Sequence, residues 1–336
     1  MKTLAVIGGG PAGTSAAITA RQFGASVVII EATEFPRFRP GESLHPGIET
    51  LLEALGADSS LRNAPHLRYQ GIWVSWGDTE RHFVSFGSDH RGAWFGYQIS
   101  RAHLDAALLS AAEAAGAEVW RSCKAQALLM RPDGFVAGVI TDRGELEAET
   151  VIDASGPAGW LARELGVPVA AFSPRLVAHY GYAEGVCSST ELPAIRADQH
   201  GWTWLAQIEP YRYHWTRVTQ PEYRPARSWL PEEYRYLNVC RTGGADVTWR
   251  KAGRLAGAGW FLCGEAGGVL DPSSSHGVLR SLLSGRMAAH LAVAVSRGAL
   301  NSHEARTSYQ RWFDESFDGD VKKMTASYRE AGLFGC

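Results

Sequence analysis

Three glycines and an acid near the amino terminus carry the first chemistry in this sequence: Gly8, Gly10 and Gly13 in a Gly-x-Gly-x-x-Gly run, then Glu31. A pyrophosphate needs main-chain amides brought close with no side chain in the way, and this spacing supplies that. Gly8 permits a tight turn, Gly10 lets the backbone approach phosphate, and Gly13 lets a helix pack closely on a strand. Pro11 and Ala12 open the helix, whose positive dipole end favours negative charge. Glu31, followed by Ala32, lies eighteen residues past Gly13, where a carboxylate takes the hydroxyls of an adenosine ribose. Two histidines are the acid/base candidates: His45, in the loop Gly41-Glu42-Ser43-Leu44-His45-Pro46, and His276, at the end of Asp271-Pro272-Ser273-Ser274-Ser275-His276-Gly277. An ordinary imidazole titrates near neutral pH, which suits a general acid or base. The histidines have no metal-ligand spacing.

The elements that must position these groups follow from patterning. Leu4–Gly8 and Val27–Glu31 read as buried strands around a helix, a βαβ unit. A Pro- and Gly-broken loop, 35–47, leads to a helix over Pro46–Leu55; apolar alternation over 69–98 predicts strands, and 101–115 a helix. From Glu118 to Asp153, turns at Pro132-Asp133-Gly134 and Arg143-Gly144 divide a β-meander. Residues 174–250 are strand-like and rich in Trp and Tyr; Trp260–Gly264 is a short buried strand, with helices over about 275–296 and 302–330.

At 336 residues with net charge −2, the chain carries no broad field for nucleic acid or an anionic membrane. Only five of the 33 basic residues are lysines: Lys2, Lys124, Lys251, Lys322 and Lys323. Five scattered cysteines form no CxxC and read as reduced thiols, with Cys263 in the core and Cys336 exposed. The short amino-terminal apolar run leads straight into the glycine turn, so it is a strand and not a signal peptide. No stretch reads as a membrane span, and a cytoplasmic protein is expected.

Further segments extend the dinucleotide site. Arg101 begins a helix from which its guanidinium can reach a pyrophosphate. Val151–Gly156 ends a strand in a small-residue turn around Asp153 and Gly156, and Gly264-Glu265-Ala266 follows another strand ahead of Asp271–Gly277. With these four motifs in order, the chain resembles the FAD-dependent monooxygenases of the p-hydroxybenzoate hydroxylase-like fold. Within them it looks closest to the branch holding the tryptophan halogenases, the geranylgeranyl reductases and the maturases of quinone-cofactor amine oxidases. The resemblance covers roughly residues 3–330. It implies an α/β fold: a Rossmann-type, glutathione reductase-like FAD-binding domain (1–65, 99–168 and 252–300), an inserted antiparallel β-sheet substrate domain (66–98 and 169–251) and a C-terminal helical segment (301–336). It places Gly8, Gly10, Pro11, Ala12, Gly13, Glu31 and Ala32 against the ADP half of FAD and Arg101 on the pyrophosphate. Arg39, Asp153 and Gly156 flank the cofactor. Glu265, after Gly264, takes the place of an aspartate that bonds the ribityl chain; the family more often carries Gly-Asp-Ala here. Pro272, Ser275, Gly277 and Val278 lie at the isoalloxazine edge, and Gly41, Glu42 and Ser43 cover the other face.

The resemblance also implies a chemistry: an aromatic substrate hydroxylated with molecular oxygen through a flavin C4a-hydroperoxide, which must be shielded from water. NAD(P)H or another reductant serves as transient donor. Trp94, Tyr97, Trp202 and Trp204 are the candidate substrate-pocket aromatics, with Tyr211, Tyr213 and Trp215 as further shield. The finer expectation is a tryptophan side chain of a peptide or protein client. The alternatives are a small aromatic natural product, a prenyl-chain reduction, or a flavin-bound assembly factor without catalysis. Halogenation is disfavoured: the flavin halogenases use a lysine in the inserted lobe with a Trp-x-Trp-x-Ile-Pro segment. Here no lysine occurs between Lys2 and Lys124, and only Trp202-Thr203-Trp204 survives, with Ile208 and Pro210 displaced.

Overall fold

A computed structural model describes residues 1–58, 65–77, 79–90 and 92–333, so the terminal Cys336 lies outside the described residues. Two sheets organise the chain. The first has strands in the order 118–120, 27–30, 2–7, 144–153, 136–141, 125–130. Its central strands are parallel, Lys2–Ile7 lying between Val27–Ile30 and Gly144–Asp153, and they are buried on both faces as near-continuous apolar runs. Gly144–Asp153 is ten residues long because its two halves do different work. The first half closes the antiparallel meander, and the second pairs with Lys2–Ile7 and Trp260–Leu262. Where the sequence reading has one extended segment from Glu118 to the Pro132 turn, there are two strands, Glu118–Trp120 and Ala125–Met130, broken near Ser122, whose φ is +51°.

The second sheet has seven strands, in the order 238–246, 177–184, 212–219, 201–209, 194–198, 71–75, 82–85. It is not purely antiparallel. Ala194–Asp198 runs parallel to Gly71–Ser75, a pairing that joins two stretches far apart in sequence. Side chains alternate between its faces. One face carries Trp202, Trp204 and Tyr182; the other carries Tyr213 and Trp215, which pack against Tyr234 of the covering segment at ring distances of 5.4 and 6.2 Å.

Two helices pack tightly on each other and on the first sheet. Pro11–Gln22 crosses Gly277–Ser296 so closely that a Cβ on Gly285 would sit 2.0 Å from the Ala12 carbonyl oxygen, and the Ser15 hydroxyl donates to the Leu282 carbonyl at 2.7 Å. Among the described residues Gly277–Ser296 is the one helix long and apolar enough to cross a membrane, where the sequence reading expects no such stretch. Its apolar surface packs on the helix Pro11–Gln22 and the sheet, with 56% of the window buried. The last helix, Ser302–Glu330, starts on an Asn301 cap and lays Tyr309, Phe313, Phe317, Met324 and Tyr328 along its buried side.

Candidate active site

The glycine turn is built by contacts between backbones. Gly8 has φ +103°, and a Cβ there would come 2.4 Å from the Ala154 carbonyl oxygen. A Cβ on Gly13 would meet the Gly8 carbonyl oxygen at 1.9 Å. The helix that follows has Gly10 as its N-cap, no side-chain cap and no acid in its first turn, so no side chain of its own meets its leading amides and dipole end.

Glu31 is buried at the head of that turn and collects donors from it: the Gly9 amide at 2.7 Å, the Thr33 amide at 2.9 Å and the Thr33 hydroxyl at 2.6 Å. Arg37 completes the group. Its guanidinium lies 3.2 Å from Glu31 and 3.7 Å from Asp105, and 3.1 Å from where a Cβ of Gly10 would stand. Its Nε is buried with no partner. The sequence reading chose Arg39 in this loop, but Arg39 is exposed and Arg37 reaches the turn. In a strand two arginines spaced by one residue would share a face, but residues 35–40 form an irregular loop, where the spacing does not say which side chain turns inward. Ala32 is exposed beside Glu31.

Arg101 shares Asp105 with Arg37. Asp105, one helical turn on, holds it by a paired contact at 2.9 and 3.1 Å, while its Nη1 donates to the Pro40 carbonyl at 3.0 Å. Burial works against the Arg101 charge, but Asp105, with Glu265 and Glu42 beyond it, leaves the group more strongly basic than usual. Asp153 has a structural use: its two oxygens accept the Ser155 and Leu161 amides, both at 2.8 Å, fixing the turn that carries Gly156. Glu265, after buried Gly264, is exposed, its carboxylate 4.0 Å from a Cβ position on Gly156. An uncapped helix, a cradle that a Cβ would fill and an unpartnered buried arginine nitrogen fit the phosphates of a dinucleotide.

The loop 41–47 is tied to the second sheet. Glu42, 3% exposed, accepts the Tyr182 hydroxyl at 2.5 Å and the Gly41 amide at 2.8 Å, with the buried His214 ring 3.9 Å away. Ser43 donates to Gln98 at 2.8 Å. Burial lowers the proton affinity of His214. Tyr182→Phe is expected to leave Glu42 short of one donor and to cost about 1–3 kcal/mol in a denaturant titration.

His45 and His276, 231 residues apart in sequence, come together with ring centroids 5.1 Å apart. The His45 Nδ1 lies 2.6 Å from the Pro46 carbonyl oxygen. His276 is the N-cap of Gly277–Ser296 but its ring caps no amide; Gly277 is exposed, Val278 half-buried, and Ser275 turns the chain at φ +53°. Burial lowers the His276 proton affinity, with Asp320 acting against it. Pro272 follows Asp271, a buried carboxylate that accepts the Ser273 amide and hydroxyl, the Trp249 indole N–H at 2.7 Å and the Tyr328 hydroxyl. Tyr328 in turn accepts the Trp202 indole N–H at 2.6 Å. Removing the Tyr328 hydroxyl in Tyr328→Phe strands that indole and takes a donor from Asp271, so a loss of about 1–3 kcal/mol is expected by thermal or denaturant unfolding.

The predicted pocket aromatics separate. Trp202 is 1% exposed in a core cluster with Val218, Met324 and Tyr328, which is packing. Trp204 is half-buried on the same sheet face, beside Tyr182, Ala206 and Ile208. Tyr213 and Trp215 point to the far face and are not over the loop 41–47; the two-residue period of a strand dictates this. Tyr211 is an exposed turn residue, Trp94 is 45% exposed beside Gly87, and Tyr97 bonds Glu49.

With this geometry the chain can be compared with known proteins. Residues 3–95 and 87–210 match the tryptophan halogenase family, and the chain belongs to it. It is 25% identical over 93% of its length to a tryptophan 2-halogenase from Chondromyces crocatus. Of solved structures, it is similar to CmlS, a flavin-dependent halogenase, with TM-score 0.89 and 23% identity over 98% of this chain. It is also similar to PqsL of Pseudomonas aeruginosa, assigned as an FAD-dependent monooxygenase, with TM-score 0.83 and 17% identity, covering 98% of this chain and 96% of that one. These structural likenesses show the α/β fold. The chain spans 65% of the length of both the Chondromyces enzyme and CmlS.

Proposed function

We propose that this protein binds FAD and uses it, with molecular oxygen, to oxidise an aromatic substrate, hydroxylating it where its relatives halogenate. The His45–His276 pair carries the reading: two imidazoles from distant loops meet at the positive end of a 20-residue helix. Bound FAD supplies two-electron transfer and the activation of dioxygen, with a nicotinamide or other reductant as donor. This chain's residues do the rest. Gly8–Gly13, Arg37 and Arg101 hold the phosphates, Glu31 takes the ribose end, and Gly156 and Glu265 line the approach to the reactive ring. The loop 41–43, held to the second sheet through Glu42, excludes water from one side. His276, kept neutral by burial, takes the proton released from the aromatic ring.

The names of the relatives argue for oxygen chemistry on a flavin, and the residues argue against halide as the second reactant. The stretch that carries the halogenase lysine holds none here, since Lys2 is followed next by Lys124. The finer reading is a tryptophan side chain in a peptide or protein client, supported by the Trp204 and Tyr182 face beside the loop 41–47. FAD-loaded protein, reduced without oxygen and then mixed with oxygen and a panel of free indoles and tryptophan-containing peptides, tests it. Peptide hydroxylation supports the reading. Peroxide as the sole product across the panel contradicts it.

A further inference from the structure

We propose that the second sheet carries a separate binding site on its far face, a pocket of about 340 Å³ that takes a small aromatic carboxylate. Strand alternation sets this face apart from the one beside the loop 41–47. Thr203 lies between Trp202 and Trp204 and points the opposite way, and Arg217 shares the face of Trp215. Register then draws one row across five strands. Gly244 stands opposite His179, His179 opposite Arg217, Arg217 opposite Thr203, and Thr203 opposite Arg196. Side chains in such a row are neighbours on one face.

The row is built to hold an anion. The Arg217 guanidinium, 9% exposed, donates to Thr203 at 3.2 Å and to Asp198 at 2.7 Å. Those two bonds fix its plane and leave N–H groups over for a ligand. Beside it in the row, the His179 Nε2 is buried with no partner among the described residues, and a buried polar atom calls for one. Arg196 lines the pocket from the other side, paired with Glu233 at 2.6 Å. Arg224 adds a third guanidinium, its Nη2 lying 3.5 Å from a Cβ position on Gly244. Arg196, Arg217 and Arg224 outnumber Asp198 and Glu233, so positive charge is in excess even with the histidines neutral.

The walls are aromatic. His200 and Tyr223 stack with ring centroids 4.3 Å apart and planes 22° from parallel. Half-buried Trp229 lines the same space, its ring 6.5 Å from His179. A guanidinium held in one plane takes a carboxylate through paired N–H groups, and flat walls take a ring. The volume suits a one-ring or indole-sized acid.

Isothermal calorimetry on the full chain with FAD tests the site, with indole-3-acetate as the probe and indole and acetate as controls. The acid is expected to bind, with each control about tenfold or more weaker. Arg217→Gln should weaken the acid about tenfold or more, and Tyr223→Ala, at an exposed position, about threefold or more. His276→Gln should leave its affinity unaltered. No heat of binding, equal affinity for either control, or binding that His276→Gln weakens and Arg217→Gln does not, overturns the proposal. Should Arg217→Gln not fold, Arg196→Gln and Tyr223→Ala still decide. The readout needs no turnover, so failure of the proposed oxidation would leave this test standing.

Discussion

Gly13→Ala is expected to yield a protein that retains no FAD and loses about 3 kcal/mol or more of stability. The added methyl would lie 1.9 Å from the carbonyl oxygen of Gly8. That obstacle is main chain, so no rotamer change relieves it. The helix Pro11–Gln22 must then lift from the strand Lys2–Ile7, which turns its leading amides away from the phosphates and opens the contact with Gly277–Ser296. Flavin absorbance after gel filtration and a denaturant titration read the two losses. Gly319→Ala is the control: the site is mid-helix with no atom within 4 Å of the new Cβ, and it should gain up to about 1 kcal/mol. A Gly13→Ala protein as yellow and as stable as the control would refute the placement of the dinucleotide.

The second large effect is expected from His276→Gln, which should cut product formation by about 10²-fold or more while leaving FAD content unchanged. The glutamine keeps a polar group of similar size at the start of the helix but cannot carry the proton. Oxygen consumption should continue and end in peroxide. The unaltered enzyme gives the matching pH signature. Burial holds the His276 proton affinity below that of a free imidazole, so the neutral base persists on acidification past the ordinary histidine pKa before activity falls. The same depression means the unfolded chain binds a proton there first. Its contribution to stability is thus present above the unfolded pKa and is lost as pH falls through the folded one. Activity that falls at or above the ordinary imidazole range would reject His276 as the base.

Much of this was legible in the sequence because its signals are local. The glycine spacing, the acid at residue 31 and the apolar strands around them specify a βαβ unit within a few dozen residues. His45 and His276 each sit in a Gly- and Pro-broken loop that reads as functional by itself. Their meeting was not legible, since it depends on how two distant loops dock. That Arg37 reaches the glycine turn while Arg39 is exposed was not legible, because an irregular loop follows no side-chain period. How the candidate aromatics divide between the two sheet faces and the core was legible only in part. Strand period separates Trp202 and Trp204 from Tyr213 and Trp215, but only the docked sheet shows which face meets the loop 41–47. Trp202 was claimed by Tyr328, from a helix that sequence marks only as polar and terminal. The parallel pair of Ala194–Asp198 with Gly71–Ser75 leaves no local trace at all.

The most direct test of the account is the mass of the product formed when reduced, FAD-loaded protein meets isotopically labelled dioxygen and a tryptophan-containing peptide in buffer containing bromide. The account predicts one labelled oxygen atom gained on the indole and no bromine. A brominated product, or a preparation that binds no FAD, would contradict it.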